Sequence, residues 1–119
     1  MTKQSEEFVI YHNPRCSKSR EVLALLQQHG IEPWIIEYLK TPPTKDELCD
    51  VIKKLGIKPE SLLRKSEDVF KENFSGRNLS DEEWIAAMVD NPVLIERPIV
   101  IFRDQALVGR PPERVNKLL

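Results

Sequence analysis

Glycine is scarce in this chain, with four residues in 119, so the glycine-rich loops that cradle nucleotide phosphates have nothing to be built from. Cysteine is scarcer still. Cys16 and Cys49 allow one disulfide at most, and their spacing to His12 and His29 matches no zinc site. No run approaches the roughly 20 apolar residues of a membrane span, and the polar start Met1-Thr2-Lys3-Gln4-Ser5-Glu6-Glu7 has no apolar leader segment. The expectation is a cytoplasmic protein whose thiols stay reduced. A net charge of −1 lacks the basic excess of a nucleic-acid binder. Hydrophobic content of 40% and charged content of 31% are those of an ordinary globular chain, long enough for one real core.

What is present is a cysteine in a pointed place. Phe8-Val9-Ile10-Tyr11 reads as a short buried strand, and Val22, Leu23, Leu25 and Leu26 recur at helical spacing from Ser17 to a stop at Gly30. Between them lies His12-Asn13-Pro14-Arg15-Cys16. A cysteine there meets the first free N–H groups of a helix, whose dipole favours thiolate, the nucleophilic form, over thiol. His12, Arg15, Lys18 and Arg20 are candidate cations for that sulfur, His12 as an imidazolium. Ser19 stands where a Cys-x-x-Cys pair would have its second sulfur, so any resolving thiol comes from outside. A cysteine phosphatase loop needs arginine six residues after its cysteine; Val22 is there instead. Cys49, beside Leu48 and Ile52, reads as a small apolar packing residue.

Further along, Trp34-Ile35-Ile36-Glu37-Tyr38 reads as a second strand, parallel to the first through a helical crossover. Thr44 with Glu47 and Ser80 with Glu83 match capping boxes that open helices at 44–55 and 80–89. Helical signals from 59 to 74 are weaker. Ile99-Val100-Ile101-Phe102 and Ala106-Leu107-Val108 make a hairpin turning through Arg103-Asp104-Gln105, and residues 113–119 a short final helix. The order β-α-β, helical insertion at about 44–91, then β-β-α predicts a single α/β domain over 1–119, thioredoxin-like in order, with a mixed sheet. Arg64, Arg97 and Arg110 stand at element ends. Each alone is an ordinary solvated residue, whereas gathered around Cys16 they would form an oxyanion pocket. Sequence spacing does not say whether the fold gathers them.

Several separated motifs, taken in order over nearly the whole chain, resemble one family. They are Tyr11-His12-Asn13-Pro14 before Cys16, Ser19-Arg20, Tyr38-Leu39 with Thr41-Pro42-Pro43-Thr44, Leu62-Leu63-Arg64-Lys65, Glu96-Arg97-Pro98-Ile99-Val100, and Gly109-Arg110-Pro111 before Glu113. The chain is similar to the glutaredoxin-dependent arsenate reductases of the ArsC type, and to their short bacterial members in particular. That resemblance implies a thioredoxin-like fold, Cys16 as the nucleophile toward arsenate, and His12 and Ser19 beside the sulfur, with Ser19 hydrogen-bonded to it. It implies Arg64, Arg97 and Arg110 on the oxyanion and a cis Arg97–Pro98 bond. It also implies glutathione as co-substrate and glutaredoxin as protein partner, with no tightly bound cofactor; a monomer is the plain expectation because the sequence shows no seam or long apolar edge. Two other readings follow from the same fold. One is a glutathione-linked thiol oxidoreductase with a different substrate. The other is an Spx-like module that binds RNA polymerase, whose usual Cys-x-x-Cys switch Ser19 rules out here.

Overall fold

β1 (Phe8–Tyr11) is an interior strand of a four-stranded sheet, in the order β2-β1-β3-β4, and all but Val9 of its residues are buried. The computed structural model describes residues 7–119; the leader-free start read from the sequence lies outside the described residues. β2 (Trp34–Ile36) pairs parallel to β1, with Val9 opposite Trp34 and Tyr11 opposite Ile36. β3 (Ile99–Phe102) runs antiparallel on the other side, Tyr11 opposite Ile99, and β4 (Gln105–Val108) closes a hairpin onto β3. The sheet is mixed, and the class is α/β. The crossover between β1 and β2 is α1 (Ser17–Gln28).

The described residues form two compact units, one of residues 7–41 together with Arg97–Leu119, the other Pro42–Glu96. In the first, Phe8 and Ile10 point to one face by the two-residue period of a strand, and Val22 and Leu26 to one face of α1 by the four-residue period of a helix. They meet Val100 and Phe102 of β3 and Val115 of the last segment in one core, with the Phe8 and Phe102 rings 4.4 Å apart. α1 stops where the chain turns left-handed at Gly30 (φ 76°), a conformation open to glycine at little cost.

The second unit is helical. α2 (Lys45–Leu55) and α4 (Asp81–Asp90) each begin with the complete capping box read from the sequence, at Thr44–Glu47 and Ser80–Glu83. Their buried faces carry Leu48, Val51 and Ile52, and Trp84, Ile85 and Met88. The weak signals after 59 resolve into a 3₁₀ turn (Pro59–Leu62) and the six-residue α3 (Asp68–Asn73), too short for a periodic stripe.

Three boundaries differ from the sequence reading. β2 ends at Ile36, whose carbonyl accepts the N–H of His12, and Glu37–Thr41 turns away with Tyr38 buried. Gln105 belongs to β4, leaving the two-residue turn Arg103-Asp104. Arg103 takes φ 57° there without a glycine, its guanidinium lying 4.9 Å over the Phe102 ring and 2.8 Å from Glu7. The final segment, Pro112–Leu118, is 3₁₀ rather than α. No helix among the described residues is long and apolar enough to cross a membrane.

Candidate functional site

The turn that delivers Cys16 is built from its own sequence. Pro14 has the fixed φ suited to the second position of a β-turn, and Asn13 suits the first. The turn closes with Cys16 N–H donating to the Asn13 carbonyl at 3.0 Å. Asn13 Oδ1 accepts from Arg15 N–H at 3.0 Å, and Arg20 Nη1 donates to the Pro14 carbonyl at 3.0 Å. Cys16 is thereby fixed as the N-cap of α1 in an extended conformation, and no acidic residue occupies the first turn. The free N–H groups and positive dipole end of α1 face the sulfur side of the turn unopposed by any carboxylate there. The residue is buried, and both cysteines are free thiols.

His12 and Ser19 lie beneath this turn, 6% and 0% exposed. His12 Nδ1 is 2.7 Å from Ser19 Oγ, and Asn13 N–H donates to the same oxygen at 3.0 Å. The Ser19 hydroxyl thus braces the turn from below; its partners are His12 and Asn13 and not the sulfur. Burial lowers the His12 pKa from its ordinary value, Glu37 opposing this and Arg20 adding to it. Burial thus works against the imidazolium expected from sequence as the cation at Cys16.

That cation is Arg110. Its Nη2 lies 3.4 Å from Cys16 Sγ, and its Nε donates to the Arg97 carbonyl at 2.8 Å. The antiparallel pairing of β3 with β1 sets Ile99 opposite Tyr11, so the segment before β3 comes level with the residues leading to Cys16. Gly109 N–H donates to the Pro98 carbonyl at 2.9 Å, which fixes Arg110 in turn. A Cβ at Gly109 would lie 2.8 Å from Val22 Cγ2, so this glycine lets the strand end close against α1. Arg97–Pro98 and Arg110–Pro111 are both cis.

Arg97 presents buried guanidinium donors without an acceptor. Its Nε and Nη1 are sealed from solvent with no hydrogen-bond partner, the only such side-chain nitrogens among the described residues. Buried guanidinium N–H groups left unpaired cost free energy, and an oxyanion is the partner whose geometry suits them. Arg64 lies in the second unit, where Nη1 is 2.7 Å from Glu67 and Nε 3.6 Å from Glu96, so its fork is already engaged by carboxylates. Of the other cations expected near the sulfur, Lys18 pairs with Glu21 at 3.7 Å and Arg15 is exposed. Cys49 is half-buried on α2. Among the described residues, no group of three or more His, Cys, Asp or Glu side chains is placed to hold a metal. The Arg110–Arg97 carbonyl contact escaped the sequence reading; the Gly109-Arg110-Pro111 run was its only trace.

The ArsC family model matches residues 11–118. The chain is 50% identical to "Uncharacterized protein YfgD" of Escherichia coli (strain K12), over 100% of this chain and 99% of that one. It is 46% identical to the arsenate reductase of Haemophilus influenzae, over 93% and 97%. A solved structure, "Arsenate reductase from Vibrio cholerae", superposes with a TM-score of 0.90 at 49% identity, covering 94% and 97%. A cysteine at a helix N-cap, an arginine on its sulfur and a family match from the end of β1 through the last turn lead to one statement: the chain belongs to the ArsC family.

Proposed function

We propose that this protein reduces arsenate to arsenite through a covalent adduct on Cys16, with glutathione and glutaredoxin supplying the electrons. The observation that carries the reading is the guanidinium of Arg110 on Cys16 Sγ, which pairs a nucleophile with an anion-holding group. The unpartnered Nε and Nη1 of Arg97 support it, since oxyanion oxygens are strong acceptors for such guanidinium donors. The relatives named arsenate reductases support the choice of oxyanion.

In the first step the Cys16 thiolate attacks arsenic, an S–As bond forms, and a protonated oxygen leaves as water. Charge gathers on the arsenate oxygens in this step, where fixed guanidinium donors are worth most. In the second, the glutathione thiolate attacks Cys16 Sγ. The S–As electron pair departs on arsenic, As(V) becomes As(III), and arsenite leaves a Cys16–glutathione disulfide behind. Glutaredoxin then takes the glutathione by thiol exchange and frees Cys16. With Ser19 in place of a second sulfur, an external thiol is the natural resolving group.

The test is arsenate-dependent NADPH oxidation coupled through glutathione, glutaredoxin and glutathione reductase. Saturable turnover that disappears in Cys16→Ser is expected. A folded wild type without arsenate turnover, beside a working control enzyme, would overturn the proposal and favour a different thiol substrate.

A further inference from the structure

The chemistry open to Cys16 is not confined to oxyanions. Its sulfur carries a guanidinium at 3.4 Å and caps a helix whose first turn holds no acid, a setting in which thiolate is favoured. Nothing in that setting requires the electrophile to be charged. A neutral molecule with a weak bond, open to attack along that bond, meets the same field.

Three features narrow the electrophile. Cys16 is only 8% exposed, so the approach to its sulfur suits a small molecule and works against a bulky one. Arg97 has Nε and Nη1 sealed from solvent without a partner, and its carbonyl accepts from Arg110 Nε at 2.8 Å. It therefore brings uncommitted donors to the segment that holds Arg110. Fixed N–H donors act where negative charge develops, which in attack on an O–O bond is the departing oxygen. Last, Ser19 stands in the place of a second sulfur, so an oxidised Cys16 closes no disulfide within the turn. It stays open to a thiol from solution.

We propose that Cys16 also reduces hydrogen peroxide, with Arg110 holding the thiolate and the Arg97 guanidinium receiving the departing oxygen. The thiolate attacks one oxygen, an S–O bond forms, and the O–O bond breaks with its electron pair on the other oxygen. That oxygen takes up the proton the thiol gave up and leaves as water. Sulfur is oxidised by two electrons to a sulfenic acid, and the peroxide is reduced by the same two. A low-molecular-weight thiol then attacks the sulfenic sulfur, forming a mixed disulfide and releasing a second water. Another such thiol frees Cys16 and departs as the disulfide. One peroxide and two thiols enter; two waters and one disulfide leave. The first step is independent of the arsenate reading, since it needs neither arsenic nor a protein partner.

The chain supplies its own reference thiol. Cys49 is free and half-buried on α2, so it reports how a cysteine away from the turn behaves in the same sample. Reduced protein is mixed with limiting hydrogen peroxide and dimedone, which traps sulfenic acids, and the two cysteine peptides are followed by mass spectrometry. Trapping at Cys16 is expected to run about tenfold or more ahead of Cys49. Equal rates, or Cys49 first, would overturn the proposal. Arg97→Ala and Arg110→Lys should each slow trapping at Cys16 about tenfold, the scale of a lost charged hydrogen bond. The Cys49 rate should not change in either variant, which also reports that the fold is kept. An unchanged Cys16 rate in both variants would refute the assignment.

Cumene hydroperoxide tests the size of the substrate. It should lag behind hydrogen peroxide at Cys16 by a wider margin than at Cys49, and equal margins would overturn the assignment of a small peroxide. Turnover is read as peroxide-dependent loss of 2-mercaptoethanol above the uncatalysed rate, and it should vanish in Cys16→Ser. No such excess in the wild type would overturn the catalytic claim. Arsenate turnover together with a Cys16 no faster than Cys49 toward peroxide sinks this proposal and leaves the arsenate reading standing. Fast, arginine-dependent trapping at Cys16 without arsenate turnover does the reverse.

Discussion

Arg110 touches Cys16 Sγ with one end of its guanidinium, at 3.4 Å, while the Nε end donates to the Arg97 carbonyl at 2.8 Å. The two contacts need a planar fork. Lysine offers a point charge and cannot make both. Arg110→Lys is expected to lower kcat/KM for arsenate by about 10–100-fold, the range of a lost charged hydrogen bond at about 1.5–3 kcal/mol. Steady-state kinetics on the variant check this; a value within threefold of wild type would detach Arg110 from the reaction.

Arg97 holds two buried guanidinium nitrogens that nothing in the described structure satisfies. Arsenate should therefore raise the wild-type Tm in proportion to its occupancy. Arg97→Ala should lose most of that ligand-induced rise and increase the arsenate KM by about 10–100-fold. Differential scanning fluorimetry with and without arsenate gives the answer, and an equal rise in both proteins would refute it.

Gly109 sits against α1 with room for hydrogen only. An added methyl would lie 2.8 Å from Val22 Cγ2 and 3.2 Å from Pro98 Cγ. Gly109→Ala is expected to cost about 1–3 kcal/mol of stability by overpacking. Adding Val22→Ala should recover part of it, because the closest obstructing atom is removed. Urea unfolding of the single and double variants measures this, and additive losses would show that the two sites do not interact.

His12 gives a pH signature. Its folded-state pKa lies below the ordinary value of 6.5, chiefly through burial, so the unfolded chain binds the proton more readily than the native one. Its contribution is thus present above pH 6.5 and declines as pH falls from there toward the lowered pKa. Unfolding free energies from pH 8 down to 5 should show a loss starting near 6.5 that is flatter in His12→Gln. An identical pH slope in both proteins would remove His12 as its source.

Local chemistry was readable in the chain. The turn at Asn13-Pro14, the N-cap position of Cys16 and both capping boxes depend on neighbours within four residues, and each appears where the sequence puts it. The Arg110–Cys16 contact joins residues 94 apart and depends on the register of β3 against β1, which no spacing encodes. The charge on His12 was misread for a related reason. Sequence shows the titratable neighbours, but the dominant effect is burial, which belongs to the folded core. Gln105 and the last segment were misplaced by a residue or by helix type, because a two-residue turn without glycine and a proline-led 3₁₀ segment lack strong local signals.

Cys16 comes early in the chain and its guanidinium partner late, with the whole Pro42–Glu96 unit encoded between them. On the ribosome, Cys16 is exposed to the cell long before Arg110 is made. The sulfur therefore spends much of synthesis without the guanidinium that lies on it in the folded chain. The contact between Cys16 and Arg110 cannot form until the segment after Val108 has been made.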